Sequence, residues 1–110
     1  MDATVVFNNE RKLEELGGGV CRKVLAYNEQ IMMVEVVFET GGTGSVHVHP
    51  HVQSTYVRSG RFRFDINGES VEVAGGDSIV FPSGIPHGTL CLEAGTLIDV
   101  FTPMREDFVR

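Results

Sequence analysis

The chain contains four histidines, all between positions 47 and 87, and three of them stand in the sequence HVHPH at positions 47–51. Side chains two residues apart on a β-strand point to the same side of the sheet, so His47 and His49 can both reach one metal ion. The amide oxygen of Gln53 is an acceptable, weaker ligand, and His87 can complete the set from a neighbouring strand. Imidazole ligands suit zinc, nickel, copper, iron and manganese, so the donor types do not select one metal.

The remaining histidine of this sequence, His51, is not assigned as a ligand. It follows Pro50, and the direction of its side chain depends on how that proline bends the strand. We expect His51 either to support the ligands from behind or to face solvent.

A second group of polar residues lies near the C-terminus, in and after the apolar run at residues 97–101. Alternation places Asp99 on the same face as Leu97 and Phe101, and Asp99 points inward if the other face packs outside the barrel. A carboxylate enclosed in a barrel is costly unless it is paired or takes part in chemistry. Arg105 could fold back over the mouth of the barrel. From the pattern alone, a structural ion pair between Asp99 and Arg105, or a solvated Arg105, is an open alternative.

The elements that must position these residues are short β-type runs separated by turn residues, a pattern typical of a sandwich or barrel. The pattern predicts strands at residues 5–7, 20–27, 31–39, 61–66, 70–73, 78–81, 89–92 and 96–101. Asn67-Gly68 between two alternating runs is a strong hairpin signal, since both residues tolerate positive φ. A helical turn is predicted at residues 13–16, and no helix of useful length is expected outside residues 8–16 and the C-terminal tail. We therefore predict an all-β fold, a closed or nearly closed barrel.

Length and composition exclude several classes of protein. The chain has 110 residues, the size of one domain, and we predict a single domain over residues 1–110. A net charge of −6, from 15 acidic against 9 basic residues, argues against a nucleic-acid partner, which needs clustered Lys and Arg. No apolar run is long enough to span a bilayer and no signal pattern opens the chain, so we expect a cytoplasmic protein without a membrane partner.

The two cysteines, Cys21 and Cys91, lie far apart and form no CxxC or Cys/His cluster. We interpret them as small apolar residues of the interior, with a disulfide as the open alternative. Neither is assigned to the metal.

The histidine pair lies in a longer pattern that resembles the first motif of the cupin superfamily. That motif is a glycine, five residues, HxH, three or four residues, a glutamate, six residues and a glycine. The chain matches every spacing, with Gly41, His47, His49, Gln53 and Gly60 at the defined positions. Gln53 stands where the motif has glutamate, which removes one negative charge from the ligand set. This weakens metal affinity and makes the ion a stronger Lewis acid, since its ligands donate less charge.

A second cupin motif follows after 15 intervening residues. It is a glycine, five residues, PxG, two residues, a histidine, three residues and an asparagine, and here it begins at Gly76 and includes His87. Cys91 stands at the asparagine position, where packing is the expected role. The resemblance implies a single-domain cupin, a double-stranded β-helix or jelly-roll barrel over about residues 20–102, flanked by an N-terminal strand and a C-terminal tail.

Along nearly its full length the chain is similar to the small cupins of the pectin-degradation family known as KdgF, which also carry glutamine in place of the motif glutamate. The resembling stretches are residues 16–20 and 22–27, the HVHPH region with Gln53, residues 86–88, and the tail at residues 99–108. The resemblance implies an isomerase-type enzyme that converts 4,5-unsaturated monouronates, released from pectin or alginate by lyases, into linear keto-uronates. It also implies a homodimer.

The resemblance assigns residue roles as well. One divalent transition metal (Ni, Zn, Fe or Mn) is implied, with ligands at His47, His49, Gln53 and His87. The implied catalytic group consists of Asp99, Phe101 and Arg105. In this interpretation Asp99 moves a proton, Arg105 binds the uronate carboxylate, and Phe101 forms an apolar wall against the sugar ring.

Three other interpretations of the sequence stay open. A metal-dependent dioxygenase would need a redox-active metal and open positions for oxygen. A non-catalytic sugar-binding or storage cupin would bind its ligand without turnover. A purely structural metal is the third, and both the neutral Gln53 and the inward Asp99 argue modestly against it.

Overall fold

The structure is a computed structural model that describes residues 1–110, and it consists of eight strands and two short 3₁₀ turns. The strands are β1 (Glu14–Gly17), β2 (Val20–Tyr27), β3 (Met32–Phe38), β4 (Thr43–His47), β5 (Val52–Ile66), β6 (Glu69–Ala74), β7 (Ser78–Phe81) and β8 (His87–Thr102). The 3₁₀ turns are Asn8–Glu10 near the N-terminus and Glu106–Phe108 in the C-terminal tail. The prediction of an all-β jelly-roll barrel is confirmed.

Two long strands, β5 and β8, hold the architecture together because each runs through both halves of one continuous eight-stranded sheet, and these halves form the two sheets of the jelly roll. The first half of β5 pairs with β7 and with the second half of β8, which continues through β3 and β2 to β1. The second half of β5 pairs with β6 and with the first half of β8, which also pairs with β4. All of these pairs are antiparallel, and the two sheets enclose the core between them.

The bend that carries β5 from one sheet to the other lies at Gly60. The register between β5 and β8 shifts on both sides of this glycine, which has a φ of +86°. A Cβ there would lie 2.6 Å from the carbonyl oxygen of Glu93, so only glycine fits. The irregularity also changes which residues face inward, from Val57 before the bend to Phe62 after it, both fully buried.

The core has two apolar clusters. The larger cluster contains Phe38, Phe62, Phe64 and Phe81, with smaller aliphatic side chains around them. The smaller cluster contains Val24, Met32, Val34 and Phe101, and the tail residues Met104 and Phe108 pack against it. Aromatic side chains from both clusters therefore reach the cavity described below.

The structure corrects several sequence-based predictions. Residues 5–7 form no strand, and the segment predicted as a helical turn at residues 13–16 is instead mostly β1. Leu13 and Leu16 have helix-like spacing, but the backbone groups of this segment bond to β2. The two strands predicted at residues 89–92 and 96–101 are one continuous strand, because the residues between them pair with β5 and β3.

Both cysteines are free, and Cys91 is buried in the larger apolar cluster, as interpreted from the sequence, whereas Cys21 is only half-buried. No helix in the structure has the length and apolar character needed to cross a membrane.

Candidate functional site

Three histidines converge at one end of the barrel. His47 closes β4 and His87 opens β8, and the two are direct cross-strand partners in the antiparallel pair. The ring centroids of His47 and His87 lie 4.5 Å apart, and that of His49 lies 5.3 Å from His47 and 5.0 Å from His87. One ring nitrogen from each histidine falls within 4.8 Å of the others, a spacing at which all three could hold one metal ion.

Backbone carbonyls fix the orientation of all three rings. Nδ1 lies 2.9 Å from the Ser45 carbonyl oxygen in His47, 3.1 Å from that of His51 in His49, and 2.9 Å from that of Ile85 in His87. A carbonyl oxygen only accepts hydrogen bonds, so each Nδ1 carries a proton, and in a neutral ring Nε2 then presents a lone pair. This is the arrangement that metal-binding imidazoles adopt.

His87 is the most constrained of the three. Its ring stacks on Phe81 at a centroid distance of 4.3 Å, and its Nε2 is buried without a hydrogen-bond partner. Burial lowers the pKa of His87, and it does the same for His49, so both imidazoles favour the neutral form. A buried lone pair with no donor is costly, and a cation would satisfy it.

Gln53 adds an oxygen as the fourth candidate ligand atom of this cluster. It lies on β5 opposite Phe81 and Phe101 and is only 5% exposed. Its Oε1 is 3.0 Å from Nε2 of His49, although both atoms are acceptors when His49 Nδ1 is protonated. Two lone pairs at this distance fit a shared cation, so the four residues His47, His49, Gln53 and His87 are suited to hold a divalent metal.

Asp99 lies inside the barrel, as the strand alternation predicts. It is 8% exposed, and Oδ1 accepts a hydrogen bond from the hydroxyl of Thr55 at 2.6 Å. Burial raises the pKa of Asp99 to about 6, against the opposing effects of hydrogen bonds from Thr55 and Gln53 and of the Arg105 charge. A carboxyl group with a pKa near neutrality can both take and give a proton.

Arg105 folds back toward the cavity but does not pair with Asp99. Its Nε and Nη2 donate to the carboxylate of Asp107 at 3.1 and 2.9 Å, which holds the pKa of Asp107 below its usual range. The guanidinium also lies over the rings of Phe108 and Phe101, at 4.3 and 5.2 Å from their centroids. Two of its five N–H donors are bonded, which leaves three for a ligand.

One cavity of about 310 Å³ brings these groups together. Among its lining residues are His47, Gln53, His87, Asp99, Phe101 and Arg105. The ring of His49 contacts Phe101 edge-on, at a centroid distance of 5.8 Å. The volume is at the small end of the range for small-molecule sites, roughly 300–1,000 Å³, so the cavity suits a small ligand.

His51 lies outside the ligand cluster. Its Nε2 lies 3.2 Å from the carbonyl oxygen of Met104, so the ring connects the HVHPH segment to the C-terminal tail. Its own carbonyl holds the ring of His49. His51 therefore supports the site through its backbone and through the tail.

The structure also reveals three residues that the sequence reasoning missed. Thr55 connects Gln53 to Asp99, and Arg22 and Phe108 line the cavity. The Arg22 guanidinium lies 3.9 Å from the Phe108 ring centroid, on a ring that Arg105 also contacts. Thr55 could have been found from strand parity, since it lies two residues after Gln53, whereas nothing in the sequence places Arg22 beside Phe108.

Known proteins are similar to this one in sequence and in fold. The sequence profile described as Cupin domain matches residues 34–101. The chain is 39% identical over 104 residues to the pectin degradation protein KdgF of Dickeya dadantii (strain 3937), over 93% of this chain and 94% of that one.

Two solved structures are also closely similar. An RmlC-like cupin from Shewanella frigidimarina NCIMB 400 has a TM-score of 0.91 and 37% identity, covering 97% of this chain and 96% of that chain. KdgF from Halomonas sp. has a TM-score of 0.90 and 33% identity, covering 96% of this chain and 98% of that chain. The jelly-roll of two sheets, the histidines at its end and the profile match over most of the chain lead to one conclusion: the chain belongs to the cupin domain family.

Proposed function

We propose that the protein is a metal-dependent enzyme that opens the ring of 4,5-unsaturated monouronates and yields linear 4-deoxy-5-keto-uronates. The observation that carries the proposal is the single cavity that holds a histidine cluster, a buried carboxylate and a guanidinium with free donors. The similarity to two KdgF proteins, one of them named for pectin degradation, supports an unsaturated uronate as the substrate.

The proposed reaction needs one proton to move between two atoms of the substrate. The substrate is a cyclic hemiacetal whose ring oxygen also belongs to an enol ether beside the carboxylate. When the C1 hydroxyl loses its proton, the C1–O5 bond breaks, leaving an aldehyde at C1 and an enolate at C5. The enolate becomes a ketone when C4 gains a proton, so the atoms of the sugar are conserved.

Asp99 is the group suited to move that proton. In its ionised form it accepts the proton of the C1 hydroxyl, and in its protonated form it delivers one to C4. A pKa of about 6 makes both forms accessible near neutral pH. Its burial keeps competing water away from the carboxyl group.

Two further residues position the sugar. Arg105 has three N–H donors free for the uronate carboxylate, in the planar geometry that favours two parallel hydrogen bonds. Phe101 is 3% exposed, lines the cavity and offers its face or edge to the sugar ring.

The proposed metal ligands are His47, His49, Gln53 and His87. A bound divalent cation (Ni, Zn, Fe or Mn) would supply Lewis-acid polarisation of substrate oxygens. The protein's own contribution is a set of lone pairs held in place by backbone carbonyls before any cation arrives. A homodimer and a cytoplasmic location stay predictions.

The experiment follows the ultraviolet absorbance of the conjugated double bond of an unsaturated monouronate, with and without protein. We expect decay faster than the spontaneous reaction, abolished by a chelator and restored by added divalent metal. Decay at the spontaneous rate with each metal supplied would contradict the proposal. Dioxygen consumption would then indicate an oxygenase, and tight uronate binding without turnover a sugar-binding cupin.

A further inference from the structure

Thr55 lies at the centre of the site without lining the cavity. It is fully buried in β5, directly opposite Asp99 on β8. Its Oγ1 lies 2.9 Å from Nε2 of Gln53 and 2.6 Å from Oδ1 of Asp99. One hydroxyl therefore connects a proposed metal ligand to the proposed proton carrier.

The chemistry of the three groups fixes the direction of each hydrogen bond. A hydroxyl has a single proton, and the ionised form of Asp99 can only accept one, so Thr55 donates to Asp99 in that form. The Thr55 oxygen must then accept from Gln53, and only the NH₂ end of that amide is a donor. It follows that the amide oxygen of Gln53 is the end that faces His49.

We propose that Thr55 is a positioning residue that holds the Gln53 amide with its oxygen toward the histidines. The inference rests on the proposed metal site. An amide has two ends of similar size, and only the oxygen end can bind a cation. A free amide could turn its NH₂ group toward the site, whereas the glutamate found in the first cupin motif would present an oxygen in either orientation.

The test compares Thr55→Val with Thr55→Ser. Valine has a similar shape without the hydroxyl, and serine keeps the hydroxyl without the methyl group. We expect the dissociation constant for Zn²⁺, measured by competition with a chromophoric chelator, to rise roughly 10- to 100-fold in Thr55→Val, the usual effect of losing a group that orients a ligand. We expect Thr55→Ser to stay within about threefold of the wild type, and the Co²⁺ absorption spectrum to change only in the valine variant.

A matched control and a second background separate positioning from packing. Ser70 donates to Asp65 at the same 2.6 Å on the exposed surface, so Ser70→Ala removes a comparable bond and should leave Zn²⁺ affinity unchanged. In a Gln53→Glu background the ligand has no NH₂ end, so adding Thr55→Val should cost less than about threefold in affinity. If Thr55→Val lowers Zn²⁺ affinity as much in the Gln53→Glu background as it does in the wild type, the inference is contradicted.

Nuclear magnetic resonance of the wild type gives an answer even if Thr55→Val does not fold. We expect the Gln53 side-chain NH₂ protons to show nuclear Overhauser contacts to Thr55. Contacts to the ring of His49 instead would overturn the inference. Thr55→Val that binds Zn²⁺ as the wild type does would also overturn it, whereas a wild type that binds no divalent metal would refute the proposed metal site itself.

Discussion

The two ends of the cavity are built in different ways. At the histidine end, each ring is held by a backbone carbonyl two residues away, and His47 and His87 face each other across one strand pair. At the arginine end, Arg105 and Phe108 belong to the C-terminal tail and depend on side-chain contacts with each other and with Arg22. Strand register fixes the histidine end, and tertiary packing fixes the arginine end. The effect of a substitution should therefore stay local at the histidine end and extend to neighbouring side chains at the arginine end.

The largest expected effect concerns Asp99, where the two ends meet. Asp99→Asn keeps the shape of the side chain but cannot carry the proton. We expect turnover of the unsaturated uronate to fall by roughly 10²- to 10⁴-fold, the usual range for loss of a general acid–base group. The dissociation constant for Zn²⁺ should change little, because the amide oxygen of asparagine can still accept the hydrogen bond from Thr55. Turnover close to the wild-type rate would show that another group moves the proton.

His87→Ala tests the histidine end directly. It removes a buried lone pair and the ring that stacks on Phe81. We expect Zn²⁺ affinity to fall by more than about 100-fold, beyond the roughly 10- to 100-fold typical of losing a group that only supports a ligand. His51→Ala is the matched control, since the backbone carbonyl that holds His49 is retained. Equal losses in the two variants would contradict the proposed ligand set.

The pKa of Asp99 predicts a pH dependence of the stability of the metal-free protein. Folding raises this pKa from 3.8 to about 6, so the folded state binds the proton more tightly than the unfolded state. The resulting stabilisation is fully present below about pH 3.8 and is lost as the pH rises through about 6. At 1.36 kcal/mol per pKa unit, the free energy of unfolding should fall by about 3 kcal/mol relative to Asp99→Asn.

Urea unfolding of both proteins in a chelator, between pH 3 and pH 8, measures that difference. The comparison with Asp99→Asn cancels the contributions of the other titrating groups. A pH-independent difference between the two proteins would show that Asp99 has an ordinary pKa when the protein is folded.

Substitutions at the arginine end should have smaller effects. Arg105→Lys keeps the charge but loses the planar pair of donors, and we expect kcat/KM to fall roughly 10- to 100-fold. Asp107→Asn removes the exposed partner of Arg105, and we expect a change of less than about fivefold, since ion pairs with an exposed partner contribute about 1 kcal/mol or less. Arg58→Lys on the surface is the control. A larger fall in kcat/KM for Asp107→Asn than for Arg105→Lys would contradict the proposal that Arg105 binds the substrate and Asp107 only supports it.

The same contrast explains what the sequence could reveal. Strand parity places His47 and His49 on one side of a strand, because parity is a local property. Asp99 could be placed inward for the same reason. The resemblance to the cupin motifs, rather than any local pattern, adds Gln53 and His87 to the set. The convergence of Arg22 and Arg105 on Phe108 joins distant parts of the chain, and no local pattern encodes it.

Errors in the strand predictions have physical causes too. The apolar run at residues 5–7 is β-like in composition but has no partner strand, so its composition alone was misleading. The break predicted near residue 95 was wrong because the long strand β8 continues through Gly95, which lies opposite Phe38 on β3. Pairing partners, rather than composition, decide where these strands end.

The two bent strands determine how a ligand can enter and leave. His87 lies on the first half of β8 and Asp99 on the second, so the same backbone runs through both walls of the cavity. Parting the two sheets would require breaking the ladders of β5 and β8 along their length. The C-terminal tail, which follows β8 and contributes Arg105 and Phe108 to the lining, has no such ladder to break. Exchange of ligand with solvent is therefore expected to depend on motion of the tail. The rate of product release should depend on the strength of the contacts that Arg22 and Arg105 make with the ring of Phe108.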